Sequence, residues 1–553
     1  MIVDNVLVAF ETLHAMRCNK HSKYGNAALK IDISKAYDRV DWGFLRAMLL
    51  QLGFSSRWVD LVMLFVNSVT FSICLNGDLL GPIAPERGLR QGCPLSPYLF
   101  ILCSEGLSAL LAQANLHGKI HGCRVIRNAP VITHLLFADD SFLFFRASVE
   151  EAMELKGILD TYEKASGQAI NFQKSALFFS PNVADSTESD LRHCLGVNAD
   201  LVDSNYLGLP SLIGRGKCEI FAFLKSRLWK RLTSWNHRFF SQAGKEILLK
   251  SIAQAIPTYC MSAFLLPITV TDALQKMMNS FWWGMKPDGG KKMHWMSWHK
   301  LCVRKEDGGL GFKDLRSFNL AMLAKQGWRL LTQPDALASR VLKAKYYPRG
   351  DLLNAKIGHN PSFTWRGIYA AKGILVQGCR WKVGSGCGIK VWADPWLKDS
   401  ANFYITTDRV AGMEDMTVNE LMIPNQREWD TEMIEENFNP RDCDLITRVL
   451  LNRGGNDELI WHFSKNGVYS VSSGYRVALG MGSESDLQRV GGDWQRLWSL
   501  KIPSTVKFFI WRFFAGPAFQ SERAFGVERL TMDVRCALCD SEPESRDHLF
   551  RNA

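Results

Sequence analysis

The sequence predicts an α+β fold, and three stretches carry that prediction. Residues 134–145, His-Leu-Leu-Phe-Ala-Asp-Asp-Ser-Phe-Leu-Phe-Phe, set two apolar runs around an acidic pair, the pattern of a buried β-hairpin with its polar tip at Asp139-Asp140. Residues 27–33 alternate, with Ala27, Leu29, Ile31 and Ile33 on one face and Ala28, Lys30 and Asp32 on the other, as a half-buried strand does. Val3, Val6, Leu7, Phe10 and Leu13 recur at helical spacing, so the chain opens in an amphipathic helix. Adjacent carboxylates beside an apolar sheet repel each other unless a cation or a donor cluster faces them. A divalent metal ion answers that need, while a plain Asp-Asp-Ser turn explains the same residues without chemistry.

At 553 residues the chain has the length of about three or four domains. Its 66 Lys and Arg against 55 Asp and Glu leave a net charge of +11, which favours a polyanionic partner, nucleic acid first. The 14 cysteines are scattered, which excludes a small disulfide framework and points to a reducing compartment. The first residues carry Asp4 and Glu11 where an export signal needs basic residues, so a secreted protein is not expected. The uncharged run 251–271 is long enough to span a bilayer, but Gln254, Pro257 and Pro267 interrupt it, and buried core is the expectation.

Residues 42–52 read as a helix stopped by Gly53. In Arg87-Gly-Leu-Arg-Gln-Gly-Cys-Pro-Leu-Ser-Pro-Tyr-Leu-Phe100, Gly88 and Gly92 permit close backbone approach to a ligand. Ser96 as cap and Pro97 as first helical residue then start a long apolar helix through Leu111. An ordinary loop and core helix would look alike. Between residues 221 and 250, Lys225, Arg227, Lys230, Arg231, Arg238 and Lys245 interleave with Phe223, Trp229, Trp235 and Phe239. That mixture suits a helical surface on nucleic acid or a solvated amphipathic helix pair, as does the basic-aromatic stretch 291–300. Gly308-Gly-Leu-Gly311 and Gly384-Ser-Gly-Cys-Gly388 read as turns, since the second runs into a strand rather than opening a helix. Residues 330–490 form a tryptophan-rich stretch without visible chemistry. Near the C-terminus, Cys536-x2-Cys539-x8-His548 has thiolates and an imidazole at a spacing that suits tetrahedral Zn²⁺.

Taken in order, Lys30-Ile-Asp-Ile-Ser-Lys-Ala-Tyr-Asp38, Arg90-Gln-Gly-Cys-Pro-Leu-Ser-Pro97, Phe137-Ala-Asp-Asp140, Ser166-Gly-Gln-Ala-Ile-Asn-Phe-Gln-Lys174 and Tyr206-Leu-Gly-Leu-Pro210 resemble the successive polymerase motifs of reverse transcriptases. The likeness is to plant LINE-type, non-LTR retrotransposons, and the C-terminal Cys/His stretch resembles the zinc-binding domain of the same elements. The resemblance implies a right-hand polymerase with a ferredoxin-like palm, a helical thumb and connector, and a small C-terminal Cys/His module. The implied divisions are 1–212 for partial fingers and palm, 213–330 for the thumb, 331–490 for the connector and 491–553 for an incomplete zinc-binding domain. Its implied reaction is RNA-directed DNA synthesis by two-metal nucleotidyl transfer, with RNA template, DNA primer and deoxynucleoside triphosphates as partners and no membrane. Localisation is expected to be intracellular, nuclear or cytoplasmic. Asp32 and Asp139 would hold two Mg²⁺ ions with Asp140 in support, because hard carboxylate oxygens suit that ion. Tyr37 would lie against the sugar's 2′ side, unless it is helix core, and Gln91 and Gly92 near the template and incoming nucleotide. Lys174 would act as general acid for pyrophosphate, unless it is merely solvated, and Tyr206, Leu207 and Gly208 would grip the primer. Cys536, Cys539 and His548 would bind Zn²⁺ incompletely, since Ala553 stands where the family pattern asks for a cysteine. The rival expectation is a degenerate, inactive transposon remnant that only binds nucleic acid.

Overall fold

The computed structural model describes residues 2–515 except 202, 203, 215, 236–239, 285–293, 400, 401, 410, 411, 414, 425, 427, 452–454, 481–489 and 491. Two compact units result, 1–215 with 333–366 and 216–332 with 367–553. In the first, helix α1 (Ile2–Cys18) leads into β1 (Asn26–Ser34), α2 (Trp42–Gln51), α3 (Ser56–Asn67) and the hairpin β2 (Phe71–Leu75) and β3 (Asp78–Ile83). Then come α4 (Ser96–Leu116), β4 (His134–Phe137), β5 (Asp140–Arg146), α5 (Val149–Ser166), β6 (Ala169–Ile170) and β7 (Ala176–Phe179). The series closes with α6 (Asp185–Leu195), β8 (Ala199–Asp200), β9 (Asn205–Tyr206) and β10 (Leu209–Pro210).

The main sheet has the order β4-β5-β1-β7-β8, with β6 also on β1, and β1 runs antiparallel to β5, β6 and β7. β1 takes the centre because its alternation supplies a continuous apolar row: Ala27, Leu29 and Ile31 are fully buried in one core with Leu99, Phe100, Cys103, Leu107 and Leu111 of α4 and Leu155, Leu159 and Tyr162 of α5. Each such leucine or isoleucine contributes about 1.5–3 kcal/mol on burial. The half-buried expectation for the strand holds only toward its C-terminal end, where Lys30 and Asp32 are partly exposed, whereas Ala28 is covered too. At that covered end β5 adds buried Phe142 and Phe144, and α1 reaches the sheet through Asn5 Nδ2, which donates to the Leu136 carbonyl at 3.0 Å.

Helix α2 starts on Asp41, whose carboxylate accepts from the Phe44 amide at 2.8 Å, and Gly53 beyond its end has φ +91°, as the stop signal predicts. Ser96 corrects the expectation for α4: it is buried as the first helical residue, Leu95 precedes it as cap without a side-chain bond, and Pro97 is second. Ser96 lies one position inside the helix, too late for its hydroxyl to serve as the cap. Among the described residues α4 is the one helix long and apolar enough to cross a bilayer. Its Leu99, Phe100, Cys103, Leu107 and Leu111 are buried in the core. The run 251–271 is broken into short helices at Ala253–Ala255 and Thr258–Ala263 before Ile268 opens a longer one, and most of it is buried.

In the second unit, the Gly-rich loop 384–388 wraps the Asp457 carboxylate, which accepts from the amides of Gly384, Gly386 and Gly388 at 2.9, 2.8 and 3.0 Å. Its anion-binding nest is filled by the chain itself, so it is a structural turn. At Gly309 a Cβ would fall 2.1 Å from the Val303 carbonyl oxygen, so this turn also exists for close backbone approach. The helix Ala222–Ser234 buries Leu224, Leu228 and Leu232 at i, i+4, i+8 and exposes Arg227, Trp229, Lys230 and Arg231. Lys245, grouped with these cations in the sequence, is instead buried, with its ammonium 6.0 Å from the centre of the Phe281 ring. Arg238 and Phe239 of that stretch lie outside the described residues.

Candidate active site

The tip of the β4-β5 hairpin differs from expectation by one residue. Phe137 pairs with Asp140, so the two-residue turn is Ala138-Asp139, with Ala138 at φ +52°, and Asp140 is the first residue of β5. The reason is that Asp140 is held from two sides: Lys30 Nζ reaches its Oδ1 at 2.9 Å, and the Leu207 amide donates to its Oδ2 at 3.0 Å. Lys30 and Asp32 share one face of β1, two residues apart, and Asp32 is the direct register partner of Asp140. Cα atoms of such partners are about 4.5–5.5 Å apart. Asp32 and the adjacent pair Asp139-Asp140, more than 100 residues apart in sequence, are thereby gathered at one end of the sheet.

Their environments differ. Asp140 carries the cation and donor that an acidic pair requires. No hydrogen bond or ion pair to the carboxylates of Asp32 and Asp139 is found among the described residues, and Asp139 is exposed. No group of three His, Cys, Asp or Glu side chains converges as a metal cluster among those residues. Strand register places two open carboxylates, Asp32 and Asp139, at the same end of the sheet as the engaged Asp140.

The backbone of Asp32 is fixed by the loop that follows β6. Its amide donates to Ser175 Oγ at 3.3 Å, its carbonyl accepts from the Asn171 amide at 2.8 Å, and Ser175 Oγ donates to the Asn171 carbonyl at 2.8 Å. Lys174 lies in the same loop with an exposed side chain. Lys30 and Asn171 stand within the sequence motifs but without an assigned role, and Ser175, one residue past the motif ending at Lys174, left no signal.

Tyr37 stacks on Phe100 of α4, with ring centroids 4.6 Å apart and planes at 12°, and it is partly exposed. Burial raises its phenol pKa, and the charge of Asp139 adds to the shift, which places the two groups within electrostatic reach. The Gly-rich loop docks on the turn after β1: the Leu89 amide donates to the Tyr37 carbonyl, the Gly88 amide to the Val40 carbonyl, both at 2.8 Å, and Trp42 Nε1 to the Gly88 carbonyl at 2.8 Å. Gln91 Nε2 donates to Asp38 Oδ1 at 3.0 Å. Gly92 has φ +82° and open space where a Cβ would stand. The adjoining Cys93 thiol is held below its ordinary pKa by the amides of Leu95 and Ser96 at the start of α4, which marks that spot as favourable to negative charge.

The β9-β10 turn consists of Leu207 at φ +51° and Gly208 at φ +73°, a two-residue connection whose left-handed pair glycine tolerates and leucine does not favour. Leu207 is kept there while its amide serves Asp140. Tyr206 is fully buried with its ring 4.5 Å from Phe142, so of the turn expected at a primer only Gly208 is exposed. Cys536, Cys539 and His548 lie outside the described residues.

The mixed sheet-and-helix fold of the first unit is compatible with a polymerase palm. Residues 1–209 match the family model of reverse transcriptase (RNA-dependent DNA polymerase), and residues 469–553 match that of zinc-binding in reverse transcriptase. A putative ribonuclease H protein of Arabidopsis thaliana is 29% identical over 351 residues, 62% of this chain and 56% of that protein. An uncharacterized mitochondrial protein of the same plant is 41% identical over 146 residues, 26% of this chain and 94% of that protein. The uncharacterized 149 kDa protein of transposon TX1 from Xenopus laevis is 27% identical over 328 residues, 57% of this chain and 23% of that protein. The chain thus spans little more than half of the first relative and about a quarter of the last. It belongs to the reverse transcriptase family.

Proposed function

We propose that this chain is an RNA-directed DNA polymerase that extends a DNA primer on an RNA template, with Asp32 and Asp139 at the centre of its chemistry. The observation that carries this reading is the pair of open carboxylates at one end of the sheet, next to a third that Lys30 and the Leu207 amide already satisfy. The strand sequence β1, β4, β5, β7 with helices after β1 and β5 supports a ferredoxin-like palm. Hard oxygen donors fit Mg²⁺, which binds through one or two carboxylates together with substrate phosphates. Bound there, two such ions would neutralise charge on the attacking 3′ oxygen and the departing pyrophosphate. Asp32 is positioned for this by the bonds from Asn171 and Ser175, and Asp140 by Lys30. Lys174 projects from the same loop as a proton source for the leaving group. Tyr37, braced by Phe100, limits the room beside the sugar, and Gly92 leaves the backbone open to the template and nucleotide.

The test is extension of a DNA primer on an RNA template with Mg²⁺. Asp139→Asn is expected to lower incorporation by at least about a hundredfold with the fold intact, since it removes charge stabilisation of the transition state. Unchanged incorporation would sink the assignment, and inactivity of the unaltered chain would leave nucleic-acid binding alone. The match over residues 469–553 supports a zinc site at Cys536, Cys539 and His548. Metal analysis should find zinc in the unaltered protein and lose it in Cys539→Ser; equal content in both would refute the site.

A further inference from the structure

We propose that the first unit carries a second nucleic-acid site, a basic pocket at the opposite end of β1 that holds a single strand of RNA. Asn26 and Arg146 pair at the start of β1, six residues before the Asp32 and Asp140 pair, which places the pocket about 20 Å from the carboxylates along the strand. Its cavity of about 500 Å³ is lined by Arg124, Arg127, Arg146 and Lys345 and by no aspartate or glutamate. His14, His121 and His359 also face it.

The charge is balanced only in part, Glu151 also accepting from the Arg146 amide at 2.9 Å. Lys345 is matched by the fully buried Glu11 at 2.6 Å, and His121 by Glu151 at 2.7 Å, both carboxylates sitting behind the lining. No carboxylate comes within ion-pair distance of Arg124, Arg127 or Arg146 among the described residues. Three guanidiniums without counter-charge around one cavity form a site for more than one phosphate. The loop that presents two of them is built to hold shape: Cys123 and Ile132 exchange backbone bonds at 2.8 and 2.9 Å, and Gly122, at φ +62°, lies where a Cβ would meet the Ile132 carbonyl oxygen at 2.7 Å. Arg124 Nη1 bonds the Arg127 carbonyl at 3.3 Å across the loop.

An aromatic surface completes the set. Tyr24 lines the same cavity, is 50% exposed, and has the Arg146 guanidinium 4.6 Å from its ring centre. Cations that follow a backbone beside an exposed ring that can stack on a base are the elements of single-strand recognition, and the pocket has room for a nucleotide. The choice of RNA as the polyanion rests on the polymerase reading; the site itself rests on the geometry. Such a site would keep template or product attached while the catalytic end turns over.

The test uses the full chain and a fluorescein-labelled oligo(U) 12-mer carrying one 4-thiouridine. Arg124→Ala with Arg127→Ala is expected to weaken binding about tenfold. The salt dependence of log K should become shallower by about one to two, as about two phosphate contacts are lost. Arg124→Lys with Arg127→Lys should stay within about threefold of the unaltered protein. Crosslinks should map to residues 19–26 or 121–127. Unchanged affinity and salt slope in the alanine variant, crosslinks confined to other segments, an equal loss in the lysine variant, or full displacement by inorganic phosphate at equal ionic strength would each overturn the proposal. Primer extension on the same preparations separates the two readings, since failure of the polymerase reading appears there and failure of the pocket appears in oligonucleotide binding.

Discussion

Tyr37 shows how one side chain can be both packed and available. Its ring is braced by Phe100 at 4.6 Å and its carbonyl is bonded by Leu89, yet it is partly exposed and its phenol senses Asp139. A ring held in that way can exclude a 2′-hydroxyl by bulk, because it cannot swing aside without losing a stack of about 0.5–1.5 kcal/mol. Tyr37→Ala is therefore expected to raise ribonucleotide use relative to deoxynucleotide use by about tenfold or more, measured as the ratio of incorporation efficiencies. Equal ratios in the two proteins would show that the ring does not meet the sugar. The alternative of simple helix core is not met, since the ring lies in the turn after β1 and is not enclosed.

Among the elements, the Gly-rich loop depends on backbone approach more than on side chains. Gly88 has φ +91° and a Cβ there would fall 2.6 Å from the Asp38 carbonyl oxygen, whereas Gly92 shares the positive φ but faces open space. Gly88→Ala thus adds a clash to backbone strain, and should cost about 1–3 kcal/mol more than Gly92→Ala. Thermal unfolding of both variants decides this, and an equal or lower melting point for Gly92→Ala would contradict the geometry. Because Leu89 and Gly88 bond the Tyr37–Val40 turn directly, a shift of this loop should also disturb the position of Tyr37 and hence the nucleotide selection proposed for it.

At the scale of the whole molecule, part of the acid sensitivity is set in the second unit. Asp442 is completely buried, which raises its pKa, but donors from Thr406 and Thr407 outweigh that effect and hold it below the ordinary carboxylate value. A carboxyl with a depressed folded-state pKa stabilises fully above the unfolded value of about 3.9, and its contribution is lost as pH falls through the lower folded value. Asp442→Asn should destabilise the protein at neutral pH by about 1–3 kcal/mol, because the Thr406 and Thr407 donors lose a charged acceptor, while Arg441 keeps its second partner Asp399. It should also flatten the loss of stability below about pH 4. Urea unfolding at several pH values checks both, and an unchanged acid slope in the variant would place the sensitivity elsewhere.

What the sequence determined by itself was local: the alternation of β1, the helix stopped at Gly53, the hairpin around Phe137 and Ser141, and the order of motifs that resembles a reverse transcriptase. These features depend on spacing and turn chemistry between near neighbours, which one chain displays directly. Tertiary structure decided which carboxylates stay open. Lys30 turns to Asp140 rather than Asp32, Leu207 lends it an amide from 67 residues away, and Asn171 and Ser175 fasten Asp32 by its backbone. It also buried Ser96, Tyr206 and Lys245, each read as a surface or capping residue, and gathered Arg124, Arg127 and Arg146 around one cavity. The physical reason is the same throughout: hydrogen bonds and charge pairs across a sheet depend on register and on which strands become neighbours, and long-range pairing leaves no periodic mark in the sequence.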